Sequence, residues 1–240
     1  MSLLSIKSVT AGYVDEIDIL RDISFDIVEG EITGIIGANG AGKSTLLKTI
    51  FGFVHPRKGN ILFKGKELIN KKPYQMKEMG ISYMLQEYST FPSLSVQDNL
   101  LLGAWTFRKD KKRVKERLNE IYAFFPILGE RRKENASFLS GGQLRALSLG
   151  KELMSNPLLL MIDEPSVGLQ PNLVTEIYEK LKIIAQSGTT VLIVDQNILK
   201  AFEISEYMIM LDMGQIKERG PKKKFEENIR EMIKTSLING

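Results

Sequence analysis

Nine residues, Gly37-Ala38-Asn39-Gly40-Ala41-Gly42-Lys43-Ser44-Thr45, have the types and spacing needed to hold a polyphosphate. They match G-x-x-x-x-G-K-[ST] and lie between a β-like run, Glu31 to Ile36, and a helical run, Leu46 to Phe51, the context the pattern requires. The glycines let backbone N–H groups converge on an anion with no Cβ in the way. The helix start behind them offers unpaired N–H donors and a partial positive charge. Lys43 adds a mobile point charge for β- and γ-phosphates, and the Ser44 hydroxyl suits Mg²⁺. A Gly-rich turn before a helix is the bland alternative, disfavoured by the complete spacing.

Two further groups carry chemistry. Asp163-Glu164 ends an apolar run, Leu158 to Ile162, so both acids are expected in the same crevice as the phosphate loop. Asp163 is suited to hold Mg²⁺ as the acidic partner of Ser44, and Glu164 to polarise a water for attack on a γ-phosphate. Leu139-Ser140-Gly141-Gly142-Gln143 opens a helix upstream, with Ser140 as a good N-cap and the glycines forming a second anion-binding surface. One chain has no obvious need for two such surfaces. Tyr13, after Ala11-Gly12, either packs on the sheet or stacks on a purine base. Gln86, at a strand end, carries no message by itself.

These residues need a scaffold that brings distant segments together. Leu3 to Val9 and Ile23 to Ile27 alternate as half-buried strands do, and Gly59 to Phe63 and Ile81 to Leu85 read as further strands around a helical Pro73 to Met79. From Ser95 the texture turns helical, with Val114, Leu118, Ile121 and Phe125 forming an apolar stripe. Pro126 and Gly129 break that block, and a charged linker, Glu130 to Asn135, follows. Near-continuous apolar strands, Leu158 to Ile162 and Thr189 to Val194, then alternate with helices, which indicates a mainly parallel sheet covered on both faces. A hairpin, Tyr207 to Leu211 with Gln215 to Glu218, precedes a C-terminal helix.

The 240 residues can bury a substantial core, and no apolar run approaches the roughly 18 residues that cross a bilayer. The start of the chain lacks the pattern of a signal peptide and there is no cysteine, which favours the cytoplasm. Net charge is +4, from 33 basic and 29 acidic residues. The basic cluster from Arg108 to Arg117 is interrupted by acids and lacks an aromatic ladder, so it reads as a solvated face and not as a nucleic-acid surface.

The joint order of phosphate loop, Gln86, Leu-Ser-Gly-Gly-Gln, acidic strand end and Asp195-Gln196 resembles the ATP-binding-cassette ATPases over essentially the whole chain. The resemblance implies an α/β fold: a P-loop NTPase core with a mainly parallel sheet (1–86 and 140–240), an N-terminal antiparallel β part and an inserted α-helical subdomain (87–139). It implies ATP and Mg²⁺ as ligands, Tyr13 as the adenine-stacking aromatic, and Gln86 as the residue touching Mg²⁺ and the attacking water. Ser140, Gly142 and Gln143, with Gly141 between them, would contact ATP bound to an opposite subunit in a head-to-tail dimer. Transmembrane permease subunits would dock on the helical block, holding the ATPase at the cytoplasmic face of the membrane. Two positions depart from the family pattern. Gln196 stands where a switch histidine is usual, and Gln170 replaces a common aspartate in the loop Ser166-Val167-Gly168-Leu169-Gln170; the only histidine, His55, comes too early to serve. Val194-Asp195-Gln196-Asn197 and the compact length resemble the smaller ATPase subunit of branched-chain amino-acid importers, the LivF type, and related amide or urea importers; an importer implies a solute-binding protein as well. A cassette ATPase working on the ribosome or DNA, or a module that binds ATP without hydrolysing it, is the competing expectation.

Overall fold

The structure, a computed structural model, describes residues 2–87 and 89–226. The first alternating runs become β1 (Ser2–Ala11) and β2 (Leu20–Val28), paired antiparallel with Ile6 opposite Phe25. β3 (Ile32–Ile36) is buried throughout and leads through the Gly-rich loop into α1 (Lys43–Ile50). β4 (Pro56–Phe63) and β5 (Lys66–Glu67) complete a four-stranded antiparallel sheet in the order β2-β1-β4-β5. At two residues, β5 is too short to leave a periodic signal in sequence.

After α2 (Pro73–Glu78) and β6 (Ile81–Met84) comes the helical block, α3 (Val96–Gly103), α4 (Lys111–Phe124) and α5 (Pro126–Glu130). Pro126 does interrupt the block, with α4 ending just before it, whereas Gly129 does not. Pro126 occupies the first turn of α5, where its missing N–H has no partner to lose, and Gly129 lies inside the helix. The chain changes direction at Phe125, whose φ of −127° and ψ of 79° separate α4 from α5. Nor does the charged stretch after α5 hang free, since Glu134 and Arg132 carbonyls accept from the N–H groups of Val96 and Gln97.

The remaining elements are α6 (Gly141–Leu153), β7 (Leu159–Asp163), α7 (Pro171–Gln186), β8 (Thr190–Val194), α8 (Ile198–Ile204), β9 (Tyr207–Asp212) and β10 (Gln215–Pro221). Residues 222–226 are helical, and the rest of the expected C-terminal helix lies outside the described residues. Six strands form the second sheet in the order β10-β9-β3-β8-β7-β6, parallel except for the β9–β10 hairpin.

Because successive strand residues face opposite ways, this sheet separates two apolar layers. Leu159 and Met161 of β7 pack with β1, β2, β4 and α1, whereas Leu160 and Ile162 pack with α3 to α7. The helical block thus shares its core with the sheet. The parallel register aligns the carboxyl ends of four strands: Ile35 lies opposite Val194, Asp163 opposite Val194, and Met84 opposite Ile162. That edge is where α/β sheets bind ligands.

α3 crosses α6 so closely at Gly103 that an added Cβ would overlap the Lys151 carbonyl oxygen. Gly103→Ala is therefore expected to cost about 1–3 kcal/mol, read as a lower urea midpoint at unchanged m-value. A midpoint equal to wild type would contradict this crossing.

Candidate functional site

The loop between β3 and α1 is shaped by its glycines. Gly40 and Gly42 have φ of 80° and 99°, a left-handed conformation that costs glycine little. Gly42 is the N-cap of α1 and supplies no side-chain acceptor, so the first turn of the helix keeps its N–H donors for an anion. Gly37 is needed for close approach, since a Cβ there would overlap the Leu211 carbonyl oxygen. Ala41 is buried and its carbonyl accepts from Gly214 N–H at 3.0 Å, which braces the loop on the β9–β10 turn. Asn39 is exposed at the rim, and Thr45 is buried beneath it in α1. Lys43 is not the mobile charge its sequence position suggests. It is 4% exposed and donates to the carbonyls of Gly37 and Ala38 at 2.9 and 3.0 Å, because a buried ammonium must find acceptors.

Asp163 closes the site from β7. Its Oδ1 accepts from Ser44 Oγ at 3.0 Å, and its Oδ2 from the Tyr83 hydroxyl at 3.0 Å. Burial pushes the Asp163 carboxyl above its ordinary range, while the bonds from Ser44 and Tyr83 oppose that rise. The Tyr83 phenol is driven strongly upward, first by burial and then by the Asp163 charge, so it stays protonated and acts as a fixed donor. Nothing in the local sequence of Tyr83 marks it; it reaches Asp163 only through the β6–β7 register. Ser44 and Asp163 are adjacent hard oxygen donors and fit Mg²⁺. Among the described residues no cluster of three His, Cys, Asp or Glu could hold a metal ion.

Glu164 follows in a left-handed conformation, φ 49°, with its N–H donating to the Val194 carbonyl at 2.7 Å. Such strain in a non-glycine residue is characteristic of functional sites. Both carboxylate oxygens are occupied: Gln86 Nε2 donates to Oε2 and Gln196 Nε2 to Oε1, each at 2.8 Å. Gln86 and Gln196 are themselves exposed, whereas Glu164 is 4% exposed beneath them. Gln86 lies two residues past the end of β6, in a bend and not at the strand end itself.

The remaining sequence candidates fall outside this hydrogen-bonded cluster. Tyr13 is 57% exposed, with Lys48 Nζ of α1 5.8 Å from its ring centre, so the aromatic stands beside the phosphate-loop helix with much of its surface open. Ser140 and Gln143 cap α6 reciprocally: Gln143 N–H donates to Ser140 Oγ at 3.4 Å, and Ser140 N–H to Gln143 Oε1 at 2.9 Å. Both bonds use acceptor oxygens, leaving the Ser140 O–H and the Gln143 NH₂ as donors. With Gly142, Leu173 and Lys180 they border a separate pocket of about 340 Å³ to which no phosphate-loop residue contributes. Exposed Gln170 is the N-cap of α7 yet makes no side-chain capping bond. His55 is exposed in the loop before β4.

Asp195, which carries no predicted role, proves central. It is fully buried at the end of β8 and accepts from Ser166 Oγ, the Tyr178 hydroxyl and Asn197 N–H. Asp195→Ala leaves these donors without their acceptor and is expected to destabilise the fold by roughly 3 kcal/mol in equilibrium denaturation. A loss below about 1 kcal/mol would show that the donors find other partners.

The ABC transporter family model matches residues 20–167, from β2 to just past Glu164. The chain is 36% identical over 214 residues to the high-affinity branched-chain amino acid transport ATP-binding protein BraG of Pseudomonas aeruginosa, covering 89% of this chain and 91% of that one. It is also 36% identical over 219 residues to the probable branched-chain amino acid transport ATP-binding protein LivF of Archaeoglobus fulgidus, covering 91% and 92%. Among solved structures, a nucleotide-free ATP-binding cassette from an ABC transporter superposes with a TM-score of 0.86 at 27% identity, over 96% of both chains. An ATP-binding cassette in its ADP conformation gives 0.86 at 26% identity over 99% of both. The chain therefore belongs to the ABC transporter family as an ATP-binding, ATP-hydrolysing cassette.

Proposed function

We propose that this cassette powers uptake of branched-chain amino acids, or of closely related amino acids or amides, through separate permease subunits at the cytoplasmic face of the membrane. The names of the two curated relatives support the substrate class, and neither points to ribosome or DNA work. Cassettes of this family work with membrane permeases and dimerise; among the described residues no helix is long and apolar enough to cross a bilayer. A solute-binding protein completes the system for an importer. The permease docks on the helical block, 87–139, beside Gln86.

The observation that carries the residue roles is the convergence of Gln86 and Gln196 on Glu164 next to the Ser44–Asp163 pair. ATP occupies the loop from Gly37 to Thr45, with its phosphates facing the N–H groups of the first turn of α1 and its base against Tyr13. Phosphate oxygens draw Lys43 Nζ away from the Gly37 and Ala38 carbonyls. Ser44 and Asp163, with Gln86, would hold Mg²⁺, which would supply positive charge to offset that of the phosphates when bound. Glu164 takes the proton from the attacking water, which reaches the carboxylate only when an amide that covers it swings aside. Gln196 holds that carboxylate without the proton exchange near pH 7 that a histidine would bring. Ser140 to Gln143 of one subunit complete the site of the other, which explains why this chain carries two anion-binding surfaces.

Glu164→Gln is expected to lower phosphate release by at least about 100-fold, keep nucleotide affinity, and accumulate an ATP-bound dimer on size-exclusion chromatography. Hydrolysis at the wild-type rate would overturn the assignment of Glu164. His55→Ala, by contrast, is expected to leave turnover unchanged, while Gln196→Ala lowers kcat by about 10-fold or more. Loss of activity on replacing His55 would refute a mechanism free of histidine.

A further inference from the structure

Arg145 is among the largest fully buried side chains, near the start of α6, a helix that also buries Leu147, Leu149 and Leu153 and the polar Ser148 and Glu152. A guanidinium is costly to bury, and it persists where its donors are used. Its Nη1 donates to the Gln86 carbonyl at 3.0 Å and its Nη2 to the Val167 carbonyl at 3.3 Å. Those two acceptors belong to the segments that meet at Glu164. Gln86 Nε2 donates to Glu164 Oε2 at 2.8 Å, and Val167 N–H donates to the Glu164 carbonyl at 3.4 Å. Four hydrogen bonds therefore close a ring through Arg145, Gln86, Glu164 and Val167.

We propose that Arg145 is a positioning residue for hydrolysis: it registers the Gln86 segment and the Ser166–Gln170 loop on Glu164, and ties that geometry to the orientation of α6. The inference rests on the proposed role of Glu164 and extends it to a residue that does not touch ATP. The rigid fork of a guanidinium spans two carbonyls on separate segments, which a lysine ammonium on a flexible stem does not reproduce. Because α6 starts at Ser140, a nucleotide gripped at its N-terminus moves Arg145, and with it the Gln86 backbone whose side chain covers the base. Binding at one site thereby reaches the water-activating carboxylate of the other.

The test is a double-mutant cycle on the full-length chain with Mg·ATP, using Arg145→Lys, Gln86→Ala and the double variant, with Arg145→Met as a charge-free control. Phosphate release gives kcat and KM, a fluorescent ATP analogue gives affinity, and thermal melts report the fold. Arg145→Lys is expected to lower kcat about 10-fold with KM and affinity within about twofold, and to cause no further loss once Gln86 is alanine. Rate losses that multiply independently, or a wild-type kcat in Arg145→Lys, would overturn the proposal. If Arg145→Met fails to fold, the lysine variant still decides between these outcomes, since a packing role alone does not couple to the Gln86 side chain. Glu164→Gln measured in parallel separates the two ideas: hydrolysis retained there removes the base assignment itself, whereas independent losses with Glu164→Gln inactive remove only Arg145.

Discussion

A carboxylate buried at the end of a strand must find hydrogen-bond donors, and at Glu164 that requirement organises the molecule. Its side chain receives one amide from the segment after β6 and one from the segment after β8, while its backbone N–H continues the ladder to Val194. Three strand ends are thereby registered on a single residue held at φ 49°. The neighbouring Asp163 is satisfied in the same manner, by Ser44 from α1 and Tyr83 from β6. Two acids side by side in low dielectric would be costly alone. Here four neutral donors share the work, with no lysine or arginine ion pair to either acid among the described residues.

Neutral donors have a consequence for chemistry. An amide or phenol that does not titrate near pH 7 offers the same hydrogen bond throughout the working range. In the proposed mechanism the clamp on Glu164 opens through movement of Gln86 or Gln196. Such movement can be supplied from the outside: Gln86 lies in the segment leading to the helical block, and Gln196 begins the turn into α8. Asp195 anchors the latter segment from below, bonded to Ser166 and to Tyr178 of α7, which ties the end of β8 to the loop before α7. Lys43 is satisfied in the same way within the phosphate loop, its ammonium held by two neutral loop carbonyls.

The apolar layers explain how this arrangement stays in register. Both faces of the six-stranded sheet are packed, with the antiparallel sheet and α1 on one side and α3 to α7 on the other. A one-residue slip of β7 would exchange Leu160 and Ile162 for Leu159 and Met161 across the sheet and move both acids away from the loop. The helical block is fastened to the same core, where glycines let α3 and α6 cross closely.

The phosphate loop and the acidic pair were legible from residue order alone, because their chemistry is local: a Gly-rich turn before a helix, and acids ending an apolar strand. Element types followed from apolar periodicity, and Pro126 marks the break between α4 and α5 because it disfavours a helical Phe125 yet starts a helix in its own first turn. Tyr83 and Arg145 carried no comparable signal, and the strand-end position of Asp195 did not reveal its partners. Their partners lie far away in sequence, and strand register or helix packing alone brings the groups within bonding distance. The same holds for the pairing of Gln86 and Gln196, whose amides are ordinary surface groups until β6, β7 and β8 align. Sequence by itself determined which groups can bind phosphate and move a proton, since that depends on residue type and near neighbours. Tertiary structure decided which of them meet at Glu164, since a buried carboxylate selects its donors by distance across the sheet and not by order along the chain.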